Sequence, residues 1–122
     1  MKTFKIFLTV FFAVIIGVTS SAQTHDHSSM NKASSKTETF KVLGNCDLCK
    51  ARIEKAAKVE GVSKAYWSTK TKLLTVAFDP SKTNKDALSK NLALAGHDTE
   101  KYKATSDIYA NLHECCQYER VK

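Results

Sequence analysis

Residues 37–103 switch hydrophobic period several times in a short span, and the order of those switches restricts the fold more than any single motif. Glu38 to Leu43 alternates, with Phe40 and Val42 on one face and Thr39 and Lys41 on the other, which is strand periodicity. Gly44 ends it. From Asp47 to Val59 the apolar positions fall instead on Cys49, Ile53, Ala56 and Ala57, one face of a helix, with Gly61 in the post-helical position. Val62–Ser68 predicts a second strand with Ala65 and Trp67 inward. Lys72–Phe78 predicts a third, with Leu74, Val76 and Phe78 inward and a hairpin loop between the two. After Asp79-Pro80, Thr83 with Asp86 reads as an N-cap signal, and Leu88, Leu92 and Ala95 form the stripe of a second helix that Gly96 stops. A short strand over Glu100–Lys103 completes the order βαββαβ. The fold class predicted is α+β: a ferredoxin-like sandwich with a four-stranded antiparallel sheet and two helices on one face.

Cys46 and Cys49 sit where the first strand pattern gives way to the first helix pattern. One helical turn, or the loop entering it, brings thiols at this spacing to a single ion or joins them as a disulfide. A helix N-terminus favours thiolate over thiol, because its unpaired N–H groups stabilise negative charge, and Lys50 and Arg52 act in the same sense. The predicted topology returns the end of the second helix to this pole. His97 is therefore expected near Cys46 and Cys49 despite its distance in sequence.

Other segments lie outside this unit. Lys2 and Lys5, the apolar run Ile6–Val18 and the small residues Ser20-Ser21-Ala22 form a secretory signal peptide over 1–22, too short for a ~20-residue membrane span. Its removal lowers the formal charge from +7 to +5. The remaining lysines are dispersed and not interleaved with aromatics, so no nucleic-acid partner is predicted. The expectation is an exported chain, not membrane-embedded once mature: periplasmic in a Gram-negative source, otherwise secreted. Residues 23–36 are polar and read as a disordered linker containing His25 and His27. Cleavage after Ala22 would make His25 the third residue, where amine, backbone nitrogens and imidazole can hold Cu(II) or Ni(II), a weaker candidate beside the cysteines.

The run Phe40-Lys41-Val42-Leu43-Gly44-Asn45-Cys46-Asp47-Leu48-Cys49, with Ile53, Gly61-Val62, Phe78-Asp79-Pro80 and Ala95-Gly96-His97, resembles heavy-metal-associated domains, a family that includes copper chaperones and the periplasmic mercury-binding protein. The resemblance covers 37–103. It implies that Cys46 and Cys49 bind Cu(I), or another soft ion such as Hg(II) or Zn(II), and pass it to a partner: a metal-transporting membrane protein or another metal-binding domain. Two departures stand out. Gly44-Asn45-Cys46 lacks the family's methionine and is one residue shorter, and His97 occupies the position beside the site that often holds Tyr or Lys.

Residues 104–122 form a tail with the chain's other two cysteines. Ile108, Leu112 and Cys116 share a helical stripe with Tyr109 beside it, which predicts a short amphipathic helix. Ala104–His113 is long enough, at about 33 to 36 Å extended, to recross a ~20 Å strand and bring Cys115 and Cys116 back to the first pair. Three arrangements are open: a site of three or four thiolates, disulfides between tail and domain, or a second metal site of Cys115, Cys116 and His113. A Cys115–Cys116 bond is disfavoured by geometry. Two sulfurs leave an ion open to an incoming thiolate, whereas four close a tetrahedral site and slow release.

A thiol-disulfide protein is the alternative function, since a Cys-x-x-Cys after a strand also serves redox chemistry. Against it, Asn45 precedes Cys46 where an aromatic is usual, and Pro80, the sole proline, belongs to a turn. A third reading makes the four cysteines two bridges of a small structural or interaction domain. No hydrolytic triad, phosphate-binding glycine loop or credible carboxylate pair is present, so a non-enzymatic binding protein is predicted.

Overall fold

The structure, a computed structural model, describes residues 34–122. The predicted signal peptide and nearly all of the predicted linker, His25 included, lie outside the described residues. Strand β1 (Lys36–Lys41), helix α1 (Asp47–Ala57), strands β2 (Val62–Trp67) and β3 (Leu73–Phe78), and helix α2 (Lys85–Leu94) run in that order. The short helix α3 (Ser106–Ala110) and a 3-10 turn (Glu114–Cys116) make up the tail.

The sheet is antiparallel, with β3 between β1 and β2. Phe40 pairs with Leu74, and Leu74 with Trp67, so one row of large side chains crosses all three strands on the same face. Leu74, Val76 and Phe78 are buried while Leu73 is exposed, the alternation expected of a sheet with one covered face. Cys49, Ile53 and Ala57 of α1 and Leu88 and Leu92 of α2 close that core from above.

Element boundaries shift where hydrogen bonding overrides side-chain pattern. β1 starts at Lys36, because Lys36 and Thr37 pair with Phe78 and Ala77 although their side chains face solvent. α1 stops at Ala57, where the Lys58 N–H bonds Glu54 O and Lys55 O. Gly61 lies beyond the cap. Its φ of +91° belongs to the turn into β2, where a Cβ would come within 2.6 Å of Lys82 Cβ. The N-cap of α2 is Asn84, whose side chain accepts from the Ala87 N–H, while Thr83 is buried.

The predicted fourth strand is not formed among the described residues. Only an isolated antiparallel bridge joins Val42 to Thr99, at the edge of β1 where that strand would pair. Backbone donors in and around it are committed elsewhere. The Thr99 N–H bonds Tyr102 O in a local turn, the Tyr102 N–H goes to Thr99 Oγ1, and the Asp98 and Ala104 N–H groups go to the Tyr118 hydroxyl and the Asp98 carboxylate. The tail also departs from expectation. In place of one amphipathic helix, α3 ends at Ala110, and a turn leads to the 3-10 segment. Leu112 and Cys116 are nonetheless buried in the core. No helix among the described residues is long and apolar enough to cross a membrane.

Candidate metal centre

Cys46 occupies the N-cap of α1 in an extended conformation (φ −122°, ψ 179°), and its side chain makes no cap hydrogen bond. The sulfur is free to face the site. Cys49, in the first turn, is fully buried and shares its stripe with Ile53 and Ala57. The loop before them is held from below by Trp67. Its indole Nε1–H donates to Val42 O at 3.0 Å, and a Cβ on Gly44 would come within 2.9 Å of the ring, so only glycine fits there without displacement. A buried tryptophan thus supports the loop in this chain. Glu54 fixes α1 to the end of β2, accepting from Lys50 Nζ at 2.6 Å and from the Trp67 N–H at 2.9 Å.

The tail doubles back to this pole. Cys46 Sγ lies 2.6 Å from Cys115 Sγ, 3.6 Å from Cys49 Sγ and 3.7 Å from Cys116 Sγ, while Cys115 and Cys116 are 3.9 Å apart. All four cysteines are free. The sulfurs of Cys46, Cys49 and Cys116 lie within 4.8 Å of one another. Metal–thiolate bonds of about 2.3 Å put sulfurs about 3.8 Å apart around a tetrahedral ion, about 4.0 Å around a trigonal one and about 4.6 Å across a linear one. The Cys46–Cys49 and Cys46–Cys116 separations lie near the tetrahedral value, whereas the 2.6 Å between Cys46 and Cys115 is too short for both to ligate one ion without Cys115 moving outward, and the metal-competent group is Cys46, Cys49 and Cys116.

The thiols share protons unequally. Partial burial raises the Cys46 pKa, but hydrogen bonds from the Cys115, Cys49 and Cys116 thiols and the Cys49 backbone outweigh it and bring the group to about 7. Cys115 is raised, first by its hydrogen bond to Cys46. Cys116 is pushed up strongly, by burial and then by its bonds to Cys49 and Cys46. Near neutrality Cys46 ionises more readily than Cys115 or Cys116, and its charge is held by thiol donors that include the tail's. A soft cation entering the cluster would displace those protons, since the thiolate is the form that ligates.

His97 lies close by but outside the sulfur group. Gly96 (φ +103°) ends α2 in a Schellman arrangement, with Gly96 N–H to Ala93 O and His97 N–H to Leu92 O, which swings the His97 ring toward the loop leading to Cys46. His97 Nδ1 bonds Leu43 O at 2.9 Å. That bond requires a proton on Nδ1 and leaves Nε2 an acceptor, buried and unpartnered among the described residues. Burial lowers the His97 pKa, favouring the neutral ring. The ring also stacks on Tyr118 at 5.7 Å. His113 is exposed, and its Nδ1 accepts from the Cys115 N–H as a local cap. Among the described residues it joins no metal-competent grouping.

Sequence reasoning missed the residues that dock the tail. The Tyr118 hydroxyl accepts from the Asp98 N–H at 2.8 Å and donates to Gly96 O at 2.7 Å. Arg120 grips the Asp98 carboxylate through Nε and Nη2, each at 2.8 Å, and donates to Ala104 O at 2.6 Å. Asp98 is 2% exposed. The signal in the sequence was weak: a lone Asp after Gly96-His97, and a Tyr-x-Arg after the cysteine pair.

Residues 39–98 match the heavy-metal-associated domain family. The chain is 45% identical over 67 residues to a mercuric transport protein periplasmic component of Shewanella putrefaciens, a stretch covering 53% of this chain and 74% of that protein. Among solved structures it resembles oxidized MerP from Ralstonia metallidurans CH34, at 38% identity, with a TM-score of 0.52, over 55% of this chain and 96% of that one. It also resembles a CopZ metallochaperone at 26% identity, with a TM-score of 0.51, over 52% of this chain and 98% of that one. The family match stops at residue 98, before the tail cysteines. The Cys46/Cys49 pair at the junction of loop and helix α1, the β1-β3-β2 sheet and these likenesses together make this chain a member of the heavy-metal-associated domain family.

Proposed function

We propose that this protein binds one soft metal ion, Cu(I) or Hg(II), as cargo, with Cys46 and Cys49 as primary ligands and the tail thiols Cys116 and Cys115 completing the sphere. The observation that carries this reading is the convergence of both cysteine pairs, with Cys46–Cys49 and Cys46–Cys116 separations of 3.6 and 3.7 Å. Thiolates prefer soft ions, and no carboxylate is grouped with these sulfurs, among the described residues, to suit calcium or magnesium. The buried Cys49 and Cys116 also exclude water, which favours retention over rapid exchange. The function is therefore sequestration with controlled hand-over to an acceptor that offers its own thiolates, without bond-making catalysis. Residues 37–103 serve as the metal-binding domain and 104–122 as its closing segment.

The predicted leader over 1–22 and the periplasmic relative support export, with the periplasm as the working compartment in a Gram-negative source. Anaerobic titration of the reduced mature chain with Cu(I) and with Hg(II), read by native mass spectrometry, tests the binding claim. One ion per chain is expected, and the Cys46→Ser/Cys49→Ser protein should lose stoichiometric binding of both ions. Full binding by that double variant would overturn the assignment.

A further inference from the structure

We infer that Asp98, Tyr118 and Arg120 form a latch that positions Cys115 and Cys116 over the Cys46/Cys49 pair, and that opening it is the step that admits an acceptor's thiolates. The inference rests on the reading that the tail thiols are ligands. Leu112 and Cys116 hold the tail in the core by packing, and the polar bonds that tie its cysteine end to the domain fall after Cys116. The 3-10 segment is a single turn capped by the exposed His113, and α3 has no fully buried residue. The segment after Cys116 is held firmly. Tyr118 is buried, its hydroxyl spans Asp98 N–H and Gly96 O, and its ring lies between His97 and Tyr109. Arg120 forms a two-pronged bond to the buried Asp98 carboxylate and lies 4.8 Å from the Tyr109 ring centre.

The geometry links this latch to both ends of the site. Asp98 comes directly after His97, whose ring is bonded to the Leu43 carbonyl just ahead of the Cys46 loop, and the Leu43 N–H in turn donates to Asp98 O at 2.8 Å. Tyr118 lies two residues after Cys116. The same few residues therefore set the position of the loop and of the tail thiols. An Arg–carboxylate fork fixes orientation as well as distance, which a lysine or a neutral amide cannot reproduce. Hand-over is then a ligand exchange without redox change. Bonds from the metal to Cys115 and Cys116 break as bonds to two acceptor thiolates form, the acceptor thiols' protons passing to the tail sulfurs, and the bonds to Cys46 and Cys49 then break as those sulfurs take up protons from water.

The test compares the full mature chain with Arg120→Gln, Arg120→Lys, Tyr118→Phe and Cys115→Ser/Cys116→Ser, each loaded with one Hg(II). Thiolate-to-mercury ultraviolet absorption reports coordination number, far-UV circular dichroism reports folding, and transfer is timed to a dithiol acceptor. The cysteine double variant should show the two-thiolate spectrum. Arg120→Gln and Tyr118→Phe should shift toward that spectrum while remaining folded, and should release metal about tenfold faster, equivalent to about 1.4 kcal/mol. Arg120→Lys should fall between them and the unsubstituted protein. If the cysteine variant keeps the unsubstituted spectrum, the tail thiols are not ligands and the reading beneath the latch fails. If it shifts but folded Tyr118→Phe and Arg120→Gln keep both the original spectrum and the original rate, the latch itself is refuted. Should Arg120→Gln not fold, Tyr118→Phe, which deletes one hydroxyl, decides the outcome by the same two readouts.

Discussion

At Cys46 partial burial, which opposes ionisation, meets three neighbouring thiols and a backbone contact that favour it, and the balance sets the group at about 7. The donors include side chains from the tail, so this property belongs to no isolated Cys-x-x-Cys loop. It predicts that carbamidomethylation of Cys46 in the metal-free reduced protein, followed by peptide mass spectrometry, will show a rate midpoint near pH 7. Replacing Cys115 with Ala, which removes the donor, should move that midpoint toward the ordinary thiol value of about 8.5. A midpoint already near that value in the unsubstituted chain would contradict the hydrogen-bonded cluster. Cys46 and Cys49 were legible in the sequence because metal-ligand spacing is local. Asp98, Tyr118 and Arg120 were not, because a partly buried ion pair across 22 residues leaves no periodic mark. The support role of Trp67 was also hidden: its inward direction came from strand alternation, but its indole bond to Val42 O depends on where the loop crosses.

Among the elements, α1 carries Cys49 in its first turn and Cys46 as its N-cap, and its placement depends on Glu54. The carboxylate accepts from Lys50 within the helix and from the Trp67 backbone N–H on β2, so it joins the two at the level of the site. Partial burial raises its pKa, but hydrogen bonds from Lys50 and Trp67 and the charges of Lys50 and Lys58 outweigh that and hold it below the usual range. A carboxyl depressed on folding stabilises the native state above its unfolded pKa of about 4.3, and that contribution is lost as pH falls through the lower folded value. Acid titration followed by circular dichroism should therefore show Glu54→Gln to be less stable at neutral pH, with a shallower loss of stability below about pH 4. Parallel acid curves for the two proteins would count against the link. Strand and helix order were readable from period alone through α2. The fourth strand was not, because its place followed from the expected element order, while the neighbouring backbone donors bond Tyr102, the Asp98 carboxylate and the Tyr118 hydroxyl. The bridge between Val42 and Thr99 marks where it would have paired.

For the whole molecule, the tail adds two sulfurs to the pole where a heavy-metal-associated domain carries its cysteine pair. The family match ends at residue 98, and the segment beyond it brings two further sulfurs to the pole where α1 begins. Sequence length showed that the tail could return, and left open whether it would form a shared thiolate site, a cross-link or a second centre. Packing decided its course: Leu112 seats against Gly96, where a Cβ would meet its Cδ2 at 2.6 Å, and Cys116 and Tyr118 enter the common core. Sharing of one ion by both cysteine pairs is what would separate this chain from an open two-thiolate carrier. Metal-edge X-ray absorption of the full mature chain, loaded anaerobically with one Cu(I) or Hg(II), counts the sulfurs around the ion. Three or four sulfur neighbours are expected, falling to two when the chain is cut after Ala110; two sulfurs in both proteins would refute the shared site.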